Sequence, residues 1–367
     1  SLKFFLIALK KKLIMKNNSF MRKLFIFFLL IPIFYLSISS CSKENDLKSI
    51  RLLSFGTYID IDIYKVDSKK LEFIQSQLQS DFNLMHKAWH SWEPGPLGRI
   101  NFFLREGKKV AAAPSVIPLL KISQRLAEKS NYLFDPGIGA LVNIWGFHSN
   151  KTEMQKPPDS SLIKEWLDNK PSIRDIKING FHISSKKKGV KLDFGAIGKG
   201  YGVDRAIESL IEMGVTDAIV NAGGDLKVIG SKAGNPWRIA IRNPEGNSPI
   251  AIIAAKDGDA IFTSGNYQRG FLWKNEWYHH LLDPRTGYPA RGISSVTVIH
   301  KNAATADAAA TAIFIAGLND WHKIAKKMGV KYALIVDDKK NIYMNPKMWK
   351  RIEIDKQFKN LILSEPL

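Results

Sequence analysis

Apolar and polar residues alternate at period two from Thr57 to Tyr64 (Thr-Tyr-Ile-Asp-Ile-Asp-Ile-Tyr), the signature of a strand with one buried face, and Phe55-Gly56 before it reads as a turn. Helical spacing of apolar positions recurs over 71–90, 115–130, 201–213 and 304–317. Short apolar runs at 190–194, 217–221, 237–241, 250–254, 295–300 and 332–336 are expected to be strands, and the proline-bearing segments 156–159 and 235–236 loops. Strands and helices interleave without strict βαβ alternation, which predicts an α+β fold rather than a doubly wound sheet. From Ile50 onward neither a repeat nor a low-complexity linker divides the chain, so 50–367 is expected to be a single large mixed α/β domain with a ligand cleft.

The pattern differs before Ile50. A basic start at Met21-Arg22-Lys23, or at Met15-Lys16, leads into an apolar run over 24–36 and then Ser37-Ile38-Ser39-Ser40-Cys41, the three parts of an export signal. The run is short for a membrane span of about 20 residues. Residues 1–14 begin with Ser1 rather than Met and are read with the leader, without a role in the fold. Cys41 is the single cysteine, so no disulfide can form within the chain. Ile38-Ser39-Ser40-Cys41 resembles the lipobox of bacterial lipoproteins, in which the thiol accepts a lipid. That resemblance implies a leader and signal over 1–40, a lipidated Cys41, a polar tether over 41–49, and an exported, membrane-anchored lipoprotein facing the periplasm. The alternative is an ordinary signal with an incidental cysteine.

Composition narrows the class. With 45% hydrophobic and 24% charged residues, the chain is neither disordered nor collagen-like. Lys plus Arg number 54 against 34 Asp plus Glu, a net charge of +20, which raises the question of a nucleic-acid partner. Part of the excess is positional, because the first 40 residues hold seven basic groups and no acid. The rest lies in short runs such as Lys186-Lys187-Lys188, without the aromatic-interleaved pattern of an RNA reader. No nucleic-acid partner is expected; the charge suits anionic surfaces or ligands.

Three segments could carry chemistry. In Val190-Lys-Leu-Asp193-Phe-Gly195-Ala196-Ile-Gly198-Lys199-Gly200 a glycine-dense turn opens a helix, where backbone N–H groups, the helix N-terminus and Lys199 could meet a phosphate. The spacing is neither a dinucleotide fingerprint nor a Walker motif, and a tight strand-to-helix connection would read the same. Asp307 and Thr311 lie four apart among alanines and so share a helical face, a pair of hard oxygen donors suited to Mg²⁺. They could equally be an acid near a helix N-terminus and a threonine bonding back to a carbonyl. In His279-His280-Leu-Leu-Asp283-Pro284-Arg285-Thr286-Gly287, His280 is a candidate general base and Asp283 a second, although Asp-Pro-x-x-Gly is also ordinary turn chemistry.

The order of motifs adds what single motifs lack. F-G-T from Phe55, S-W-x-P and R-I-N around Trp92 and Asn101, F-D-P from Phe134, L-D-F-G-A-I-G-K-G-Y from Leu192, N-x-G-G-D ending at Asp225, T-S-G-x-Y from Thr263, H-x-x-D-P-R-T-G from His280 and A-D-A-x-x-T around Asp307 resemble, in that order, the FAD:protein FMN transferase family, the ApbE-type lipoproteins. The match runs from Phe55 to about Phe314. The resemblance implies an ApbE-like fold and a Mg²⁺-dependent enzyme that splits FAD, transfers FMN to a threonine hydroxyl of a target flavoprotein, and releases AMP. It implies Asp307, Thr311 and the Ala196 carbonyl as metal ligands, and Lys199 facing the FAD. Phe55, Trp92, Leu133, Phe134 and Asp135 fall at its flavin or adenine pocket, and Thr263 is placed with them.

Two departures from the family pattern, Gly137 after F-D-P and Gly95-Pro96-Leu97-Gly98 after the tryptophan motif, are expected at the pocket wall. Three rivals use the same residues differently. They are an FAD pyrophosphatase with water as acceptor, a non-catalytic flavin-binding lipoprotein, and a dehydrogenase with Asp217 or Asp225 on an NAD ribose, the last lacking a fingerprint.

Overall fold

The computed structural model describes residues 46–148, 156–244, 246, 248–358 and 360–367; Cys41, the expected export signal and the first residues of the expected tether lie outside them. The compact unit spans Leu47–Leu367. Its central sheet has nine strands that follow one another across the sheet in chain order: Leu47–Ser54, Thr57–Tyr64, Ala218–Ala222, Asp225–Ile229, Ala260–Gly265, Ile293–His300, Tyr332–Asp337, Ile342–Met344 and Leu361–Leu363. All neighbours are antiparallel except the last pair. Antiparallel neighbours need only short turns, so long insertions are free to carry helices to one side. The α+β expectation is met.

Period-two alternation sends successive residues into opposite layers. Val220, Phe262 and Val298 point toward the helices, in one core with Leu78, Phe82, Leu210 and Phe314. Their neighbours Ile219, Ile261 and Ile299 point the other way, toward the small sheet of Trp237–Ile241, Ala251–Ala255 and Ile352–Ile354. Two helices matter most for the site. Gly198–Glu212 and Ala303–Lys327 pack on the sheet and on each other, and every residue from Ala303 to Ala316 is buried.

Three expectations are corrected. The first strand begins at Leu47, inside the expected 41–49 tether; exposed Leu53 spoils its alternation, while Ile50 and Leu52 are buried. It turns into the next strand through Phe55 and Gly56, both left-handed at φ 51° and 71°. The helix expected to stop at 317 resumes after a break at Gly317, whose φ of 74° no helix accommodates. Residues 190–194 are not a strand: the segment has only an isolated bridge from Lys191 to Ile138. Asn101 stands in for the missing neighbour, its amide donating to the Leu192 carbonyl at 2.9 Å and accepting the Leu192 N–H at 2.8 Å.

Asn101→Ala would leave both buried Leu192 backbone groups unpaired and is expected to lower the unfolding free energy by about 3 kcal/mol. A urea titration showing a loss under about 1 kcal/mol would mean that Asn101 does not hold the segment.

Candidate functional site

The chain turns out of the Asn101-held segment and into a helix within a few residues. The Gly195 N–H donates to Asp193 at 2.7 Å, and the Phe194 carbonyl accepts the N–H groups of Ile197 and Gly198 at 3.1 and 2.7 Å. Gly200 is the third helical residue, and its N–H has no carbonyl of its own helix to meet. It donates instead to Asp307 Oδ2 at 2.9 Å. A Cβ on Gly200 would lie 2.4 Å from the Ala303 carbonyl oxygen and 2.8 Å from the Asp307 Cβ, so glycine is required. The second helix is served in return. Asp204 accepts the Ala304 N–H at 3.1 Å and the Asn302 amide at 2.8 Å, while Lys227 pairs with its other oxygen at 2.7 Å.

This crossing forms part of the wall of a cleft of about 1210 Å³. Phe55, Trp92, Leu133, Phe134, Asp135, Ala196, Lys199, Thr263, His280, Asp307 and Thr311 all line it. Of the site residues read from the sequence, Asp283 is not on its wall: both carboxylate oxygens are held by Arg285, whose guanidinium also reaches the Ile315 carbonyl. Asp283 builds the turn, and its ion pair leaves His280 as the base candidate within the cleft.

The polar wall is a network. Lys199 pairs with Asp225, whose Oδ1 accepts the Thr263 N–H at 2.8 Å; the Thr263 hydroxyl meets that of Thr297 at 2.9 Å. Thr311 bonds to the Ser264 hydroxyl across the interface at 3.1 Å. Burial pushes the Asp307 carboxyl up to about 7, with Asp225 adding to the rise and Lys199 opposing it. For Lys199, burial works against the ammonium, but Asp225 and Asp307 outweigh it and raise its pKa. The second Asp307 oxygen accepts no hydrogen bond among the described residues. That buried carboxylate beside two hydroxyls is a donor set that fits a hard divalent cation. Among the described residues no three His, Cys, Asp or Glu side chains converge, so such a cation would draw on hydroxyl, carbonyl or ligand oxygens.

The rest of the wall is aromatic. Phe55 stacks on Trp89, with ring centroids 6.0 Å apart and planes within 9°. Trp92 donates its indole N–H to Asp193 at 3.1 Å and carries the Lys191 ammonium over its face at 3.4 Å. Asp135 turns its carboxylate inward, accepting from Ser172 Oγ, from the Ile173 N–H at 2.9 Å and from the Gly137 N–H at 2.8 Å. Burial raises its pKa, and its role is to tie loops together. The departure at Gly137 is thereby explained, because a Cβ there would strike the Ser172–Ile173 backbone at 2.2 Å; neither Gly137 nor 95–98 lines the cleft.

His280 holds its ring by Nδ1 to the Arg269 carbonyl at 3.1 Å. A carbonyl only accepts, so Nδ1 carries the proton and Nε2 keeps its lone pair. Burial lowers its pKa to about 3, helped by Arg269, His279 and Lys199. Sequence reasoning missed Arg242 and Arg269, which line the cleft, and Asp193, which fixes Trp92. The two arginines sit singly in plain strand and turn sequence, so only the tertiary fold brings them to the site. Asp193 lies within the glycine-dense segment, and nothing in its spacing marks it as the partner of Trp92.

Fold and site define an α+β protein with a deep cleft, in which a glycine-opened helix and an alanine-rich acidic helix meet beside aromatic walls. The ApbE family model matches residues 55–335, and the chain belongs to the ApbE family. It is similar to the FAD:protein FMN transferase of Rhodobacter capsulatus, 36% identical over 82% of this chain and 57% of that protein. The chain thus spans little more than half the length of that relative. It is also similar to the FAD:protein FMN transferase of Haemophilus influenzae, 25% identical over 82% of this chain and 90% of that protein. Among solved structures it resembles the ApbE protein of Thermotoga maritima, with a TM-score of 0.73 and 32% identity over 85% of this chain and 98% of that one. The flavin transferase ApbE from Vibrio cholerae has a TM-score of 0.71 at 25% identity, over 83% and 99% of the two chains.

Because the folded-state pKa of Asp307 lies above its unfolded value of 3.8, its contribution to stability is full below about pH 4 and is lost as pH rises through about 7. Metal-free protein should therefore melt at falling temperature across that window. Asp307→Asn, which keeps an acceptor for the Gly200 N–H, should melt roughly 5 °C above wild type at pH 8. Equal midpoints there would contradict the buried-carboxylate assignment.

Proposed function

We propose that this chain transfers FMN from FAD to a threonine hydroxyl of a target flavoprotein and releases AMP. The observation that carries the reading is the junction of Asp307, Thr311, Lys199 and the glycine-opened helix on the wall of an aromatic cleft, within a chain of the ApbE family. The aromatic walls suit two ring systems, and the cationic groups Lys199, Arg242 and Arg269 suit a diphosphate between them. Magnesium held by Asp307, Thr311 and the Ala196 carbonyl would neutralise charge developing on the phosphates.

The chain's own residues position and move a proton. The acceptor threonine oxygen forms a bond to the FMN phosphorus, and the phosphorus–oxygen bond to AMP breaks with its electron pair leaving on AMP. The threonine proton goes to His280 Nε2, the ring nitrogen not committed to Arg269. Lys199 is held by Asp225, so its ammonium is fixed in place when phosphate arrives. Because the His280 pKa is depressed to about 3, its ring is neutral throughout the physiological range, and no acid limb near 6.5 is expected from it.

Localisation belongs to the same proposal. Cys41, outside the described residues, is proposed as the lipid attachment point of an exported protein facing the periplasm.

Co-expression with a flavoprotein domain, followed by mass spectrometry, should find one FMN added to a threonine. AMP release without any labelled protein would favour the pyrophosphatase, and tight FAD binding without AMP a flavin store. Asp307→Ala leaves the Gly200 N–H without its acceptor, at a cost of about 1–3 kcal/mol that should leave the chain folded, and should cut Mg²⁺-dependent AMP release by roughly 100-fold or more. Unchanged turnover would remove Asp307 from the site. Cys41→Ser should shift the protein from the membrane fraction to the soluble one, and persistent membrane association would defeat the lipid anchor.

A further inference from the structure

A hairpin of Gly270–Trp273 and Glu276–His279 grows directly out of the cleft. The chain enters it from Tyr267, Gln268 and Arg269 and leaves it at His280, all four of which line the cleft. Its base is closed by the Arg269 carbonyl, which takes both the backbone N–H of His280 at 3.2 Å and the ring Nδ1–H. Its turn, Lys274-Asn275, is left-handed at both residues, with φ of 47° and 65°. One face is anchored: Tyr278 stacks against Trp145 and Phe271 stacks on Tyr278. The hairpin is therefore held rigidly at the side of the cleft.

Its outer edge is open. Residues pair Gly270 with His279, Phe271 with Tyr278 and Leu272 with Trp277, and no third strand joins among the described residues. In an antiparallel pair, hydrogen-bonded and non-hydrogen-bonded positions alternate. The bonded pair at Arg269 and His280 sets the phase, so the N–H and C=O of Gly270 and Leu272 point away from the partner strand. On the other edge the matching group is taken, the Trp277 carbonyl accepting from Arg291 at 2.8 Å. Beside the free edge lie the exposed side chains of Leu272 at 62% and Trp273 at 36%, and the Trp277 indole reaches across Gly270 from the partner strand, its N–H donating to the Asn266 carbonyl at 2.9 Å. An unpaired backbone edge flanked by apolar side chains is what an extended peptide recognises when it adds a strand to a sheet.

We propose that the Gly270–Trp273 edge is the docking strand for the acceptor protein, which lies along it as a third strand and delivers its threonine to the His280 end. The inference rests on the transfer reading above. Continuity decides the occupant: the edge runs into Gln268 and Arg269, so a chain bonded to it is carried to the cleft, and a hydroxyl beyond Gly270 faces the base. The acceptor segment is then extended, and at a strand rise of about 3.3 Å per residue it places an apolar residue beside Leu272 within about four positions of the threonine.

Leu272→Pro removes the outward N–H without touching the hairpin's own cross-strand bonds, and Leu272→Asp places a charge on the exposed patch. Each full-length variant is assayed with FAD, Mg²⁺ and the flavoprotein domain labelled in the co-expression experiment. Both should raise the KM for that domain by about tenfold or more while the FAD Kd, read from flavin fluorescence, stays within about twofold. An unchanged acceptor KM in Leu272→Asp, with FAD binding intact, overturns the proposal. So does loss of binding to phosphatidylglycerol vesicles with an unchanged acceptor KM, which would give the hairpin to the membrane. If Leu272→Pro weakens FAD binding, Leu272→Asp alone decides. A wild-type chain that releases AMP yet labels no protein sinks the transfer reading, and the docking strand with it.

Discussion

Two helices cap each other, and the site follows from that exchange. A helix N-terminus leaves N–H groups without intrahelical acceptors, and burying them unpaired costs about 1–3 kcal/mol each. Here the Gly198–Glu212 helix gives the Gly200 N–H to Asp307 of the Ala303–Lys327 helix, and receives through Asp204 the N–H of Ala304. Both bonds require the backbones to come within side-chain distance, which explains the glycine at 200 and the alanines from Ala303 onward. Lys227 pairs with Asp204, which of these two carboxylates is the one that does not line the cleft. With the crossing fixed, Asp307 and Thr311 have no freedom to leave the wall.

The fold treats the two carboxylates differently. Asp204 has three partners around its two oxygens: an ammonium, an amide and a backbone N–H. Asp307 has one N–H and a buried environment that favours its neutral form. A carboxylate that the fold leaves under-compensated is a destabilising element unless a cation or proton completes it. Such a residue fits the general pattern in which strain is tolerated where chemistry needs it.

Much of this was legible in the sequence, for reasons that differ by element. The Thr57–Tyr64 strand and the helices Ser68–Trp89 and Ile117–Lys129 were readable because one face of each is buried, and burial imposes a period, whereas the shorter helices Pro96–Arg105, Gly139–Ile144 and Ser160–Asn169 were not read. The 190–194 segment misled because its apolar residues are buried by Asn101 and the core rather than by a neighbouring strand; burial alone does not distinguish the two. The motif residues were legible as types but not as partners. Asp225 could be read as a polar residue after a glycine turn, yet its bond to Lys199 joins positions that only the sheet brings together. Asp283 shows the reverse, a plausible acid whose charge is consumed by Arg285 two residues away.

His280, the proposed base, and the cations of the cleft wall are electrostatically linked. After burial itself, the depression of His280 comes from Arg269, His279 and Lys199. Arg269 and Lys199 also line the cleft, where a diphosphate would find positive charge. An anion bound there would cancel part of their field, so the imidazole would gain basicity only when the group to be attacked is in place. An empty cleft then holds a weak base and a loaded one a stronger base, which disfavours premature proton uptake at the site. On the proposed transfer reading the arrangement needs no moving part, because the proposed proton acceptor sits among the cations that line the cleft.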